Sequence, residues 1–242
     1  MDLLLWGVLP YASVVLLIAG TVWRGRHDKF GLTTHSSQLH ESQLLRIGSP
    51  LFHFGMLFVV LGHVVGLVIP KSWTDGMGLS DHAYHLMAVS TGAVAGVAAA
   101  AGIGILVWRR FTVRAVRKAT LKSDHLMYTV LLGAMVLGLL ATVLNSAGAM
   151  GDFNYREGIS PWFRSLFTLS PDYALMAGAP LAFKLHIVFG FTLFALIPYS
   201  RLVHMFAVPI GYLFRPYVVY RRRDPKQLAN REETKRGWER VS

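Results

Sequence analysis

Five stretches of mostly apolar residues, near 3–23, 49–70, 84–108, 125–147 and 180–208, set what this chain can become. A run of about 20 such residues is long enough to cross the hydrocarbon core of a bilayer as an α-helix. Of the 242 residues, 53% are hydrophobic and 15% charged, where a water-soluble domain carries roughly 25% charged residues. The expected fold class is therefore all-α: a polytopic membrane protein whose five transmembrane helices form a bundle over residues 1–223. Residues 224–242 form a polar tail, solvated or bound to a partner. The last apolar run is longer than one crossing requires and contains Pro198, so tilt and a kink are expected there. No basic segment precedes the first run, which begins Met1-Asp2-Leu3, so the expectation is a retained helix and not a cleaved signal peptide.

The formal charge of +11 would point to nucleic acid on an exposed fold, but here the cations cluster between apolar runs, and no nucleic-acid partner is expected. Arg24, Arg26, Lys29 and Arg46 lie between runs one and two. Arg109, Arg110, Arg114, Arg117, Lys118 and Lys122 lie between three and four, and Arg215, Arg221, Arg222 and Arg223 follow run five. The alternate connections hold Lys71, or mix Arg156 and Arg164 with Asp152, Glu157 and Asp172. The positive-inside rule then places the N-terminus outside and the C-terminus in the cytoplasm. The outer stretch 152–179, with Pro161, Trp162, Phe163 and Pro171, is expected to lie in the headgroup region.

Cysteine is absent, which excludes disulfides, thiolate metal sites and cysteine-bound iron–sulfur clusters in this chain. Ten histidines remain. His27, His35, His40, His82, His85 and His125 fall in connections or at run edges and receive no metal role. His53, His63, His186 and His204 lie inside runs two and five, where a polar side chain is costly enough to be functional by default. One such histidine could simply bond a neighbouring helix; four in two pairs are harder to explain that way.

His53 and His63 are ten residues apart, about 15 Å of helical rise, and His186 and His204 eighteen apart, about 27 Å and five whole turns. Runs two and five are antiparallel, so His63 should meet His186 near the outer face and His53 should meet His204 near the cytoplasmic face. Two facing imidazoles supply both axial ligands of a b-type haem, and two such pairs make a path for electrons across the membrane. The unequal spacings require tilt, the Pro198 kink and oblique haems. Gly62 and Gly66 beside His63, and Gly190 one turn after His186, would admit a macrocycle close to the backbone, although glycines also serve helix packing. Arg110 and Arg201 are candidate partners for the propionates of the cytoplasmic haem, and Lys184 for the outer one. Snorkelling and topology account for the same residues equally well.

The segments SPLFHFGMLFVVLGHVVGLVIP from Ser49 and FKLHIVFGFTLFALIPYSRLVHMFAVPIGYL from Phe183, with Trp-Arg-Arg-Phe at 108–111, resemble the gamma, or cytochrome b, subunit of membrane-bound respiratory nitrate reductase. The similarity extends over nearly the whole chain. It implies a quinol-oxidising anchor in the plasma membrane of a bacterium or archaeon, joined to cytoplasmic iron–sulfur and molybdenum subunits, with the heterotrimer able to associate further. It also implies that His63 and His186 ligate the haem distal to those partners, that His53 and His204 ligate the proximal one, and that quinol binds near Gly62 and His63. Where members of the family carry a lysine at the outer start of span three, this sequence has Tyr84, followed by His85. Either is a candidate hydrogen-bond partner or proton acceptor for menaquinol or ubiquinol, since an imidazole of ordinary pKa can take a proton at neutral pH. Two other readings compete: the di-haem subunit of a sulfur-cycle or heterodisulfide-type reductase, and a haem-free transporter with a histidine proton relay.

Overall fold

The computed structural model describes residues 1–28, 31–151 and 153–207. Expectations for Lys29, Asp152, the end of run five at 208, Arg215, Arg221, Arg222, Arg223 and the tail 224–242 fall outside the described residues. Among the described residues every regular element is helical and there is no strand. Hydrocarbon offers the backbone no hydrogen-bond partner, so a spanning segment must satisfy its own amides, as a helix does.

A π-helical opening at Leu3–Val8 runs into α1 (Leu9–His27). Then follow α2 (Gln43–Val68), the short α3 (Lys71–Gly76), α4 (Asp81–Thr112), the short α5 (Arg114–Lys118) and α6 (Lys122–Ser146). α7 (Ile159–Ser165) precedes α8 (Leu181–Leu196). Five of the helical segments are long and apolar enough to cross a membrane. α2 starts six residues before its expected bound and α4 runs four past its own, because polar residues such as Gln43, Arg46 and Arg109 continue a helix beyond the apolar slab without breaking its ladder.

Run five departs from expectation. In place of one long tilted helix, α8 stops at Leu196, a 3₁₀ turn covers Ile197–Tyr199, Ser200 is extended (φ −126°, ψ 176°), and a second 3₁₀ turn covers Arg201–Phe206. Proline lacks the amide proton a helix needs and its ring crowds the carbonyl one turn back. The break is seated by α1: a Cβ at Gly20 would lie 2.7 Å from Pro198 Cβ, and Arg24 Nη1 donates to the Pro198 carbonyl at 2.8 Å. The Ser200 hydroxyl accepts from the Leu202 amide at 3.3 Å and caps the second turn.

α2 packs along α4 through small residues. A Cβ at Gly55 would lie 2.8 Å from Ala99 Cα, and one at Gly48 would lie 3.2 Å from the Gly102 carbonyl. Backbones therefore meet directly, the means by which helices associate where lipid removes the hydrophobic drive. The described part of the stretch 152–179, residues 153–179, also differs from expectation. It does not present its tryptophan to the headgroups but plugs the end of the bundle, with Trp162 and Met176 fully buried. Trp162 meets Trp6 edge to face at 5.8 Å and donates Nε1–H to the Trp6 carbonyl at 2.9 Å. Ile159, Leu166, Ala179 and Phe191 complete this core. Ser160 and Arg164 bond the Gly66 and Leu67 carbonyls at the end of α2, so helix-end acceptors find partners inside the plug.

Candidate functional site

His63 on α2 faces His186 on α8 with ring centroids 5.8 Å apart, and His53 faces His204 with centroids 6.1 Å apart. All four rings use Nδ1 in the same way. His53 bonds the Ser49 carbonyl at 2.7 Å, His63 the Val59 carbonyl at 2.7 Å, His186 the Ala134 carbonyl at 2.8 Å and His204 the Arg201 carbonyl at 2.6 Å. A carbonyl only accepts, so each Nδ1 carries a proton, and the tautomer this selects in a neutral imidazole is the one whose Nε2 can ligate a metal. His27 and His125 make the same bond to the Trp23 and Leu121 carbonyls; what sets the four apart is the facing ring.

Two imidazoles bound to one ion at about 2 Å per nitrogen place their centroids about 6 Å apart. Both pairs have that separation. Among the described residues there is no cluster of three or more metal-ligating side chains; each pair would supply two nitrogen donors to an ion whose other ligands come with a macrocycle. The glycines beside the His63–His186 pair divide. A Cβ at Gly62 or Gly190 would meet nothing within 4 Å, leaving open space beside His63 and His186. Gly66 instead receives the Tyr155 hydroxyl, 3.2 Å from where its Cβ would be. Gly66 therefore serves packing. The residues present fit a pair of b-type haems.

The spacing mismatch is resolved by the break in run five. His186 to Leu196 is ten residues of helix, matching the ten from His53 to His63 at about 15 Å of rise. After Leu196 the chain turns at Pro198 and Ser200 and returns His204 to the level of His53.

Residues not anticipated hold the rings in place. Gly138 on α6 admits the His186 ring, whose Cε1 lies 2.8 Å from where a Cβ would be. α6 thus supplies both the acceptor at Ala134 and the space. The only sequence hint was a glycine in a span carrying no intramembrane histidine.

The basic residues expected at propionates have other partners. Arg201 grips Asp124 with both branches of its guanidinium, Nε to Oδ1 at 2.7 Å and Nη2 to Oδ2, while Nη1 reaches the Thr34 and His35 carbonyls at 3.2 and 3.3 Å. Arg110 Nη1 donates to Thr120 Oγ1 at 2.9 Å and lies 3.7 Å from the same carboxylate, its guanidinium 5.3 Å from the Tyr128 ring centroid. One buried carboxylate lies near both cations and partly offsets their charges, with Arg201 in direct contact and Arg110 at 3.7 Å. Lys184 Nζ donates to the Ala177 carbonyl at 3.0 Å.

At the opposite end, Tyr84 is buried beneath Arg156, whose guanidinium lies 3.8 Å from the ring centroid, and its hydroxyl is 3.5 Å from that of Tyr155. This cation–π stack packs the ring of Tyr84, one of the two candidate quinol partners, against Arg156. Burial, together with the Tyr84 hydroxyl, pushes the Tyr155 phenol above its ordinary value, so it stays protonated. His85, the next residue, is exposed.

Fold and site define a class: a helical protein with five helices long and apolar enough to cross a membrane and two cross-bundle histidine pairs at two levels. A model of the nitrate reductase gamma subunit family matches residues 2–223. The chain is 46% identical to the nitrate reductase gamma chain of Bacillus subtilis, over 91% of this chain and 98% of that one. It is 30% identical to the respiratory nitrate reductase 2 gamma chain of Escherichia coli, over 92% and 98%. It is also 52% identical to the nitrate reductase-like protein NarX of Mycobacterium tuberculosis, over 97% of this chain, which spans 36% of that longer protein. The chain belongs to the nitrate reductase gamma subunit family.

Proposed function

We propose that this chain is the membrane anchor and cytochrome b subunit of a respiratory nitrate reductase, oxidising quinol at the outer side of the plasma membrane and delivering electrons to a cytoplasmic iron–sulfur subunit beside a molybdenum catalytic subunit. The observation that carries the proposal is the pairing of His63 with His186 and of His53 with His204 at metal-compatible separations, every Nδ1 tied to a carbonyl. Bound there, two haems b supply one-electron redox chemistry, bridging a two-electron quinol donor and the partner's cluster.

The protein's own residues do the rest. The four imidazoles would ligate the haems at two levels of the bundle, and no atom lies within 4 Å of where a Cβ would stand at Gly62 or Gly190, so neither position crowds the His63–His186 pair. Quinol oxidation yields two electrons and two protons; His85, exposed at the same end as His63, is placed to take a proton toward the outer water. Protons released outside while electrons go inward separate charge without a proton channel.

A reduced-minus-oxidised absorption spectrum tests the reading, with haem measured per chain: two haems b are expected. A colourless protein made with abundant porphyrin would favour a haem-free transporter instead. A quinol analogue should perturb the haem at His63 and His186; perturbation of the other alone would reverse the assigned direction. Copurification with molybdenum and iron–sulfur subunits separates nitrate reductase from another quinone-linked reductase, which the same bundle could serve.

A further inference from the structure

We infer that Asp124 is a positioning residue for the inner haem site, acting through Arg201 on His204; this rests on the proposed haem sites. Of the four ring donors, His53 and His63 bond carbonyls four residues back on α2, and His186 bonds α6. His204 alone hangs from a short 3₁₀ turn, and its Nδ1 bonds the carbonyl of Arg201 in that same turn. No regular helix fixes this carbonyl. Arg201 is fixed instead through its side chain, held in a two-point grip by a carboxylate on another helix.

Asp124 is itself immobilised. It is 1% exposed, and Oδ2 also accepts from the Leu121 amide at 2.9 Å at the start of α6. The path is thus carboxylate to guanidinium to main-chain carbonyl to imidazole, every link a hydrogen bond or a covalent segment of one residue. A planar two-point pair fixes direction as well as distance, so it restrains Arg201 and with it the carbonyl that the His204 ring donates to. The group around it carries two guanidiniums, Arg110 and Arg201, and one carboxylate. Removing the carboxylate's charge leaves two cations beside the site, which favours the reduced, less positive haem.

The experiment uses the full chain in its native membrane, with Asp124→Asn, Asp124→Glu and, as a control for buried ion pairs at the same end, Glu41→Gln, which loosens the Arg109 contact. Low-spin electron paramagnetic resonance and redox titration are recorded for both haems, which are assigned by His53→Ala and His63→Ala. Asp124→Asn is expected to shift the g-values of the His53–His204 haem and raise its midpoint, or to lose that haem alone. The other haem should be unchanged, Asp124→Glu should restore the signal in part, and Glu41→Gln should move neither. An unaltered inner haem in Asp124→Asn, equal change in both haems, or the same change in Glu41→Gln would overturn the inference. Absence of haem from the wild-type chain would instead overturn the proposed function.

Discussion

The two histidine pairs have nearly the same ring separation and are built by opposite means. His63 and His186 sit on continuous helices, and the second ring is seated against a third helix at Ala134 and Gly138. His53 also sits on a continuous helix, but His204 follows a break at Pro198 and Ser200, where polar tethers to Arg24, Asp124 and the 34–35 carbonyls replace helical rigidity. One pair draws its geometry from backbone hydrogen-bond ladders and close packing, the other from side-chain ion pairs. Geometry alone does not reveal how firmly each is held; the supports do.

The largest expected effect tests whether the pairs are separate sites at all. On the proposed reading, with a haem at each pair, His53→Ala and His63→Ala should each reduce haem per chain from two to one, with different bands lost, as measured by pyridine haemochrome and low-temperature spectra. Loss of both haems from either variant would merge the two sites into one cooperative unit.

Next, Gly138→Leu should abolish the outer site and spare the inner one, because a side chain there occupies the volume of the His186 ring. Overpacking a close helix contact costs about 1–3 kcal/mol even where the structure can relax, and a ligand ring pushed from its axis has no substitute. The redox titration should lose one component. An unchanged outer haem would mean that α6 does not position His186.

The sequence made much of this legible, for physical reasons. Apolar length alone located all five spans, because hydrocarbon thickness is fixed and helical rise is constant. His53, His63 and His186 stood out because a polar side chain is costly inside an apolar helix, whereas His204, expected inside run five, lies past the end of that helix in the turn Arg201–Phe206. The break in run five was only half visible: Pro198 marked a kink, but the extended Ser200 and the seat at Gly20 depend on α1, distant in sequence. The burial of Trp162 was illegible for the same reason, since aromatic residues near a span end suit headgroups as well as a plug, and contact with Trp6 decides between them. Arg110 and Arg201 were expected at propionates because Asp124, one acid at the edge of an apolar run, gave no sign that both would turn to it.

A third change probes the aromatic plug beside the helix-built pair. Trp162→Ala removes a fully buried ring and its bond to the Trp6 carbonyl, which for large-to-small core changes costs about 3–5 kcal/mol. The thermal midpoint of the detergent-solubilised protein should fall while the inner haem's spectrum stays the same. A matching disturbance of the inner haem would show that the plug supports the whole bundle and not one end.

The smallest expected effect concerns the polar end and its dependence on pH. Burial works against ionisation of Glu41, yet the Leu44 amide and Arg109 hold its carboxyl below the ordinary value of 4.5. Arg109 also donates to the Ser37 hydroxyl at 2.8 Å and to the Ser37 carbonyl at 2.9 Å. A carboxyl with a depressed folded-state pKa adds stability that is complete above its unfolded value and is lost as pH falls through the folded one. Acidification below 4.5 should therefore loosen residues 31–42 against α4 before the aromatic end responds, read as faster amide exchange in that segment relative to 159–166. Glu41→Gln should flatten this difference, because the neutral amide is already in the low-pH state. If both ends loosened together, or if the Glu41→Gln variant kept the full pH response, ionic support would not distinguish the two ends of the bundle.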